Sequence, residues 1–184
     1  MAALGASFGV WASLAPALAA GGEFKYLGAG IEMYVSVRKA DQMTSFYFGR
    51  GFSAEAVAEI AKACFITVGF KHHRPAPIWL EPAHWRIVTA DGKPVKRLGR
   101  DYWNARFAAV NAPAADRATF GWTQLPEARD LQTDEPVGGN LTIQPPPGTF
   151  TILARFATGA DKRGPDLLIK VPDLQCSPAG KVTP

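Results

Sequence analysis

The sequence is poor in the residues from which reactive centres are usually built: among 184 residues it has 2 Cys, 3 His and 3 Met. Cys64 and Cys176 lie far apart and lack the paired C-x-x-C spacing that preorganises a zinc site. No phosphate-binding G-x-x-x-x-G-K-[ST] loop, no H-E-x-x-H zinc motif and no calcium loop occurs. The letters G-x-S-x-G appear at Gly5–Gly9, inside an apolar N-terminal run, so they lack the strand that a nucleophile elbow requires. Charge is also sparse. With 20 Lys and Arg against 16 Asp and Glu, the net charge is only +4, and no run has the basic density of a nucleic-acid binder.

Charge is missing altogether before Glu23. The apolar run closes on Ala17-Leu18-Ala19, followed by small residues and a polar continuation, as a signal-peptidase site requires. Residues 1–20 are therefore expected to be a signal peptide, with a retained N-terminal anchor as the alternative. One domain is expected over 23–178, with a flexible tail at 179–184. Export would place the protein in the periplasm or outside the cell, with a membrane as partner only if residues 1–20 are retained. In an oxidising compartment Cys64 and Cys176 can form a disulfide, because both sit at the boundaries of expected strands.

What is abundant is apolar residues, at 47%, together with 18 Gly and 15 Pro. That mixture favours many short elements joined by turns over long helices. Period-two runs dominate. They predict strands over Met33–Val37, Thr44–Phe48, Cys64–Phe70, Ile78–Leu80, Trp85–Thr89, Ala118–Thr123, Leu141–Gln144, Phe150–Phe156 and Leu167–Val171. Asp91-Gly92 suits a tight hairpin turn, residues 73–77 a second one, and the Pro145-Pro146-Pro147-Gly148 stretch separates two strands. Asn140, in the glycosylation-like triplet Asn140-Leu141-Thr142, reads as a turn residue. Two segments break the alternation. Ser53 is placed to cap a helix running to Ala63, and Asp101 to cap one whose apolar face is Trp103, Phe107 and Val110.

The expectation is an all-β, antiparallel β-sandwich with two short accessory helices. The stretch Cys64–Lys71, the hairpin at Asp91-Gly92, Leu131–Ile143 (LQTDEPVGGNLTI) and Phe150–Phe156 resemble the Ig-like sandwich domains of bacterial envelope proteins. The resemblance implies an Ig-like fold and an envelope location, and transfers no catalytic residue.

Charge is distributed unevenly. Gly69–Arg106 carries an excess of Lys and Arg, whereas Asn111–Pro147 is acidic. The basic stretch also holds several aromatics, and arginine with aromatics is the composition of interface hot spots. Trp79, Trp85, Arg97, Arg100, Tyr102 and Trp103 are therefore expected to form a basic-aromatic patch. Through it a non-catalytic binding or assembly module would recognise an envelope protein or an anionic polymer, with no nucleic acid and no cofactor. The alternative is a periplasmic copper- or zinc-binding protein using His72, His73 or His84, with Met33 or Met43 as soft ligands. A third possibility pairs Glu81 and Asp101 as the carboxylates of a hydrolase.

Overall fold

A computed structural model describes residues 23–177; the expected signal peptide and the expected tail lie outside the described residues. In chain order the elements are β1 (Glu23–Gly28), β2 (Ile31–Val37), α1 (Ala40–Phe48), α2 (Ala54–Ile60), β3 (Cys64–His72) and β4 (Ile78–Leu80). A single 3-10 turn at Pro82–His84 leads into β5 (Arg86–Thr89). Then come α3 (Arg100–Ala109), α4 (Ala114–Thr123), β6 (Arg129–Leu131), β7 (Val137–Ile143), β8 (Thr149–Thr158) and β9 (Leu167–Gln175).

Two antiparallel sheets face each other. The first has the order β1-β2-β3-β7. Its opening hairpin turns on Ala29 and Gly30, both at positive φ (51° and 72°), the conformation a two-residue turn needs to match strand twist. The second sheet is built on β8, which pairs with β9 over Thr149–Phe156, with β5 over Phe150–Leu153 and with β4 at Ala157–Thr158; β6 pairs with β4. Ile66, Val68 and Phe70 of the first sheet and Ile152, Ala154 and Phe156 of the second belong to one buried cluster that fills the space between them. Phe70 stacks on Phe156 at 4.6 Å between ring centroids, joining the layers at their middle.

The all-β sandwich is thus present, with four helices among the described residues instead of two. Thr44–Phe48, expected as a strand, is the end of α1. The residues it buries are Met43, Thr44 and Tyr47, a helical spacing, while Phe48 is exposed. Ala118–Thr123 is likewise the end of α4. The Ser53 cap is real: its hydroxyl accepts the Ala56 N–H at 3.2 Å. Asp101 is not the cap: the N-cap is Gly99, two residues earlier, and α3 begins at Arg100, which leaves Asp101 in the first turn.

The helices are more than covers. Residues of β3 alternate between two cores: Cys64, Ile66, Val68 and Phe70 face the sandwich interior, whereas Phe65 enters a second cluster with Tyr47, Phe52, Trp103, Phe107 and Phe120. Each of these side chains is almost fully buried, which contributes roughly 2–3 kcal/mol per large apolar residue relative to exposure. Glu59 ties the helices together at their edge, accepting from Arg106 Nε at 2.8 Å and from Lys62 Nζ at 2.6 Å.

The expected disulfide is formed. Cys64 opens β3 and Cys176 follows β9, with Cα atoms 5.7 Å apart. The bond links the centre of one sheet to the edge strand of the other. The segment at residues 73–77 is not a hairpin: β3 pairs with β2 and β7, β4 with β6 and β8, so this segment carries the chain from one sheet to the other. Asn140 lies within β7, where its side-chain oxygen accepts from the Thr67 hydroxyl.

Candidate functional site

The outer edge of β7 decides where the site forms. Two extended pieces lie along it: Lys96–Leu98, through Leu98 N–H to Thr142 O (2.8 Å) and Gln144 N–H to Lys96 O (2.9 Å), and Gln124–Leu125, through Leu125 N–H to Asn140 O (2.9 Å). These pieces cover backbone groups that would otherwise be an open sheet edge. The second can lie this close only because residue 139 is glycine. A Cβ there would fall 2.6 Å from Gln124 C and Leu125 N. The first piece leads directly into α3 and the second follows directly from α4, so the two helices stand side by side over β7 with a cleft between them.

The cleft holds a cavity of about 270 Å³. Its floor is apolar, formed by Trp103, Phe107, Phe120, Leu125 and Leu141. The polar atoms of the floor are spent internally. Trp103 Nε1 donates to Thr142 Oγ1 at 2.8 Å, and the Thr142 hydroxyl donates to Leu98 O at 2.7 Å. Beside the cavity, Tyr47 donates to Thr123 Oγ1 at 2.6 Å, since the Thr123 hydroxyl is committed to Phe120 O. Gln124 Nε2 in turn donates to the Tyr47 oxygen. Burial pushes the Tyr47 pKa up to about 12, so the phenol remains a neutral donor.

The rim is basic. Arg97 Nη2 donates to Glu127 Oε2 at 2.6 Å, and Glu127 Oε1 accepts the Arg100 N–H at 3.1 Å. Burial works to raise the Glu127 pKa, but these hydrogen bonds and the two guanidinium charges outweigh it and hold the carboxyl below its usual range. Glu127 therefore supplies the acceptor at the start of α3, where Gly99 has no side chain to do so. The guanidiniums of Arg100 and Arg117, which also line the cavity, form no hydrogen bond or ion pair among the described residues. Trp122 stands at the rim with 86% of its surface exposed. A shallow depression continues from the cleft along Lys96, Asp101 and Tyr102, with the Lys96 ammonium 5.9 Å from the Tyr102 ring centroid.

The six residues expected to form one patch are therefore divided. Arg97, Arg100 and Tyr102 border the cleft and its extension, and Trp103 lies beneath it, 3% exposed, as part of the helical core. Trp79 and Trp85 belong to the second sheet. Trp79 donates to Gly159 O at 2.8 Å under the Lys162 ammonium, and Trp85 is 7% exposed, donates to Arg155 O and meets Phe156 edge-on. The reason is topological: β4 and β5 pair with β8, on the sheet remote from α3. Two rim residues, Trp122 and Arg117, were not anticipated. Trp122 fell within a stretch read as alternating strand, and Arg117 within the acidic half of the chain.

The histidines do not converge. His72 is wholly buried on β3, its Nδ1 accepting the Arg74 N–H at 3.2 Å and its Nε2–H donating to Leu131 O at 2.9 Å, so neither nitrogen is left for a metal. His73 lies on the surface between Asp134 and Glu32, whose hydrogen bonds raise its pKa above the ordinary value. His84 lies 3.6 Å from Glu81 in the 3-10 turn. No cluster of three or more His, Cys, Asp or Glu with metal-ligating geometry occurs among the described residues. Met33 is in the sandwich interior and Met43 in the helical core. Glu81 pairs with Lys162 at 2.7 Å, whereas Asp101 projects from α3 into solvent, so the two carboxylates share neither partner nor cavity.

No protein-family model matches the chain, and no curated protein matches it. Two solved structures align with the chain at low scores. The yjhA protein from Bacillus subtilis aligns with a TM-score of 0.40 and 10% identity, covering 71% of this chain and 76% of that one. The candidate lipoprotein ycdA from Bacillus subtilis aligns with a TM-score of 0.39 and 11% identity, covering 84% of this chain; the chain spans 39% of its length. No helix among the described residues is long and apolar enough to cross a membrane.

Proposed function

We propose that this protein is a non-catalytic binding module of the cell envelope that recognises an anionic partner at the cleft between α3 and α4. The observation that carries the reading is the rim: an indole 86% exposed beside two guanidiniums without a carboxylate partner, over an apolar floor. Exposed tryptophan and arginine are the residues on which binding energy concentrates, and a rim with three guanidiniums (Arg97, Arg100, Arg117) against one carboxylate (Glu127) selects negative charge. The Cys64–Cys176 bond supports an oxidising compartment, since such bonds persist mainly in exported proteins.

The reading is tested with poly-glutamate as a model acidic polymer, by biolayer interferometry at low and at physiological salt. Arg117→Glu and Trp122→Ala are expected to weaken binding about tenfold each, whereas Trp79→Ala leaves it unchanged, and added salt lowers the affinity of the unmodified protein. Equal binding by all three variants would place the contact elsewhere and remove the cleft from the function.

A further inference from the structure

We infer that the cavity takes the apolar body of a small amphipathic carboxylate, held by Arg100 and Arg117 and covered by Trp122. The inference rests on the reading that the cleft receives an anionic partner, and it specifies the part of that partner which enters the protein.

A purely electrostatic contact with a polymer needs only a surface. Here there is a cavity of about 270 Å³, with aromatic and aliphatic side chains at its floor and Asn104, Gln124 and Asn140 among its other lining residues. An apolar cavity of roughly 150 Å³ accommodates benzene, so by proportion this one accommodates about ten or eleven non-hydrogen atoms. The polar groups nearest the floor are engaged: the Trp103 indole N–H by Thr142, the Thr142 hydroxyl by Leu98 O, the Asn140 side-chain oxygen by Thr67 and the Gln124 amide N–H by Tyr47. A ligand lodged there must therefore carry its polarity at the end facing the rim.

The rim specifies what that end is. Glu127 is hydrogen-bonded by Arg97 and by the Arg100 backbone N–H and makes no hydrogen bond or ion pair with the side chains of Arg100 and Arg117, so the rim sets the guanidiniums of Arg97, Arg100 and Arg117 against one carboxylate. These two guanidiniums stand on different helices, α3 and α4, and the side chain of Asn104, also lining the cavity, makes no hydrogen bond among the described residues. A carboxylate presents two coplanar acceptors, matching the donor fork of a guanidinium, and the cleft then contributes charge from both sides. Trp122 completes the enclosure. Its flat apolar face is left in water at the mouth, and a bound chain would cover it.

The test is NMR titration of the full chain, following the indole N–H resonance of Trp122, which is assigned by its loss in Trp122→Phe. Octanoate and 3-phenylpropanoate are the probes, with octylammonium, acetate and poly-glutamate as comparisons. Ligands of this size bind with dissociation constants on the order of 0.1–1 mM. Both probes are expected to give saturable shifts, and octylammonium and acetate none in that range. Arg100→Ala and Arg117→Ala each weaken octanoate about tenfold, the loss of one charge-assisted contact, and Arg117→Lys falls between. The two arginines are outside both cores, so unchanged thermal midpoints verify that the variants are folded. Equal affinity for octanoate and octylammonium, or undiminished octanoate binding by the alanine variants, overturns the inference. If neither carboxylate binds but poly-glutamate shifts Trp122 through Arg117, the cleft reads surface charge only: the inference falls and the binding-module reading stands. If no anion shifts Trp122, both fall.

Discussion

Removal of the Cys64–Cys176 bridge is the most demanding test of how the two sheets are held. The cysteines are separated by 112 residues, so the bond closes most of the described chain into one loop. In the chain-entropy treatment, a cross-link of that span withholds about 5 kcal/mol of conformational freedom from the unfolded ensemble. Domains are commonly stable by only about 5–15 kcal/mol, so the loss would remove from a third to nearly all of the stability. A Cys64→Ala, Cys176→Ala double variant is preferable to chemical reduction, because Cys64 is only 4% exposed and poorly reached by reagents. Urea unfolding followed by circular dichroism would report the change in free energy, and hydrogen exchange would localise it. The expected outcome is a global loss of roughly 4–5 kcal/mol, with amides of β2, β3 and β8 all exchanging faster. A loss below about 1 kcal/mol, with faster exchange confined to β9, would refute the argument. It would mean that the bond pins a strand end and does not constrain the unfolded chain.

Three further outcomes follow from particular contacts. Gly139→Ala would drive a methyl into the backbone of Gln124 and Leu125 and is expected to cost about 1–3 kcal/mol, measurable as a lowered thermal midpoint. The same insertion at Gly51, where nothing lies within 4 Å, escapes that clash but meets a positive φ of 84°, so its smaller cost is backbone strain alone. Burial opposes ionisation of Glu59, but Lys62 and Arg106 prevail and depress its pKa, so its contribution to stability is present above the unfolded carboxylate value near 4.3 and disappears as pH falls through the lower folded value. Glu59→Gln should flatten the stability profile below about pH 4.5, and an unchanged profile would assign acid sensitivity to other groups. Glu32 and Asp134 raise the pKa of His73, so its proton-linked contribution is full below about 6.5 and is lost as pH rises through the elevated folded value. Proton NMR should show that titration moving down in Glu32→Gln, and no movement would break the assignment.

Where the sequence could be read, one environment decided the pattern. β4, β8 and β9 alternate because one face meets the sandwich interior, the Cys64, Ile66, Val68 and Phe70 alternation of β3 follows that same interior although Phe65 enters the second core, and Ser53 is legible because a cap bonds within three residues. The misreadings arose where two periods coexist. Thr44, Phe46 and Phe48 alternate like a strand, yet the side chains that are buried are Met43, Thr44 and Tyr47. In α4, Phe120 and Trp122 show the same two-residue spacing, one being buried and the other exposed. The misreading of α4 hid Trp122, and with it the cleft. The start of α3 depends on Glu127, 27 positions from Arg100, and no local pattern reveals an acceptor that distant. The division of the tryptophans between sheets was equally hidden, because neighbours along the chain at residues 79–103 are parted by strand pairing.

β3 is a party wall. Phe65 leans into the helical chamber while Cys64 and Ile66, its immediate neighbours, lean the other way, and both tenants share the same backbone. A sideways slip of one residue would exchange the occupants of two rooms at once, so the strand is pinned from both sides. A ligand that packs on Trp103, Phe107 and Phe120 is therefore expected to slow amide exchange along the strand that both compartments share, and unchanged exchange in β3 would show that the two are uncoupled.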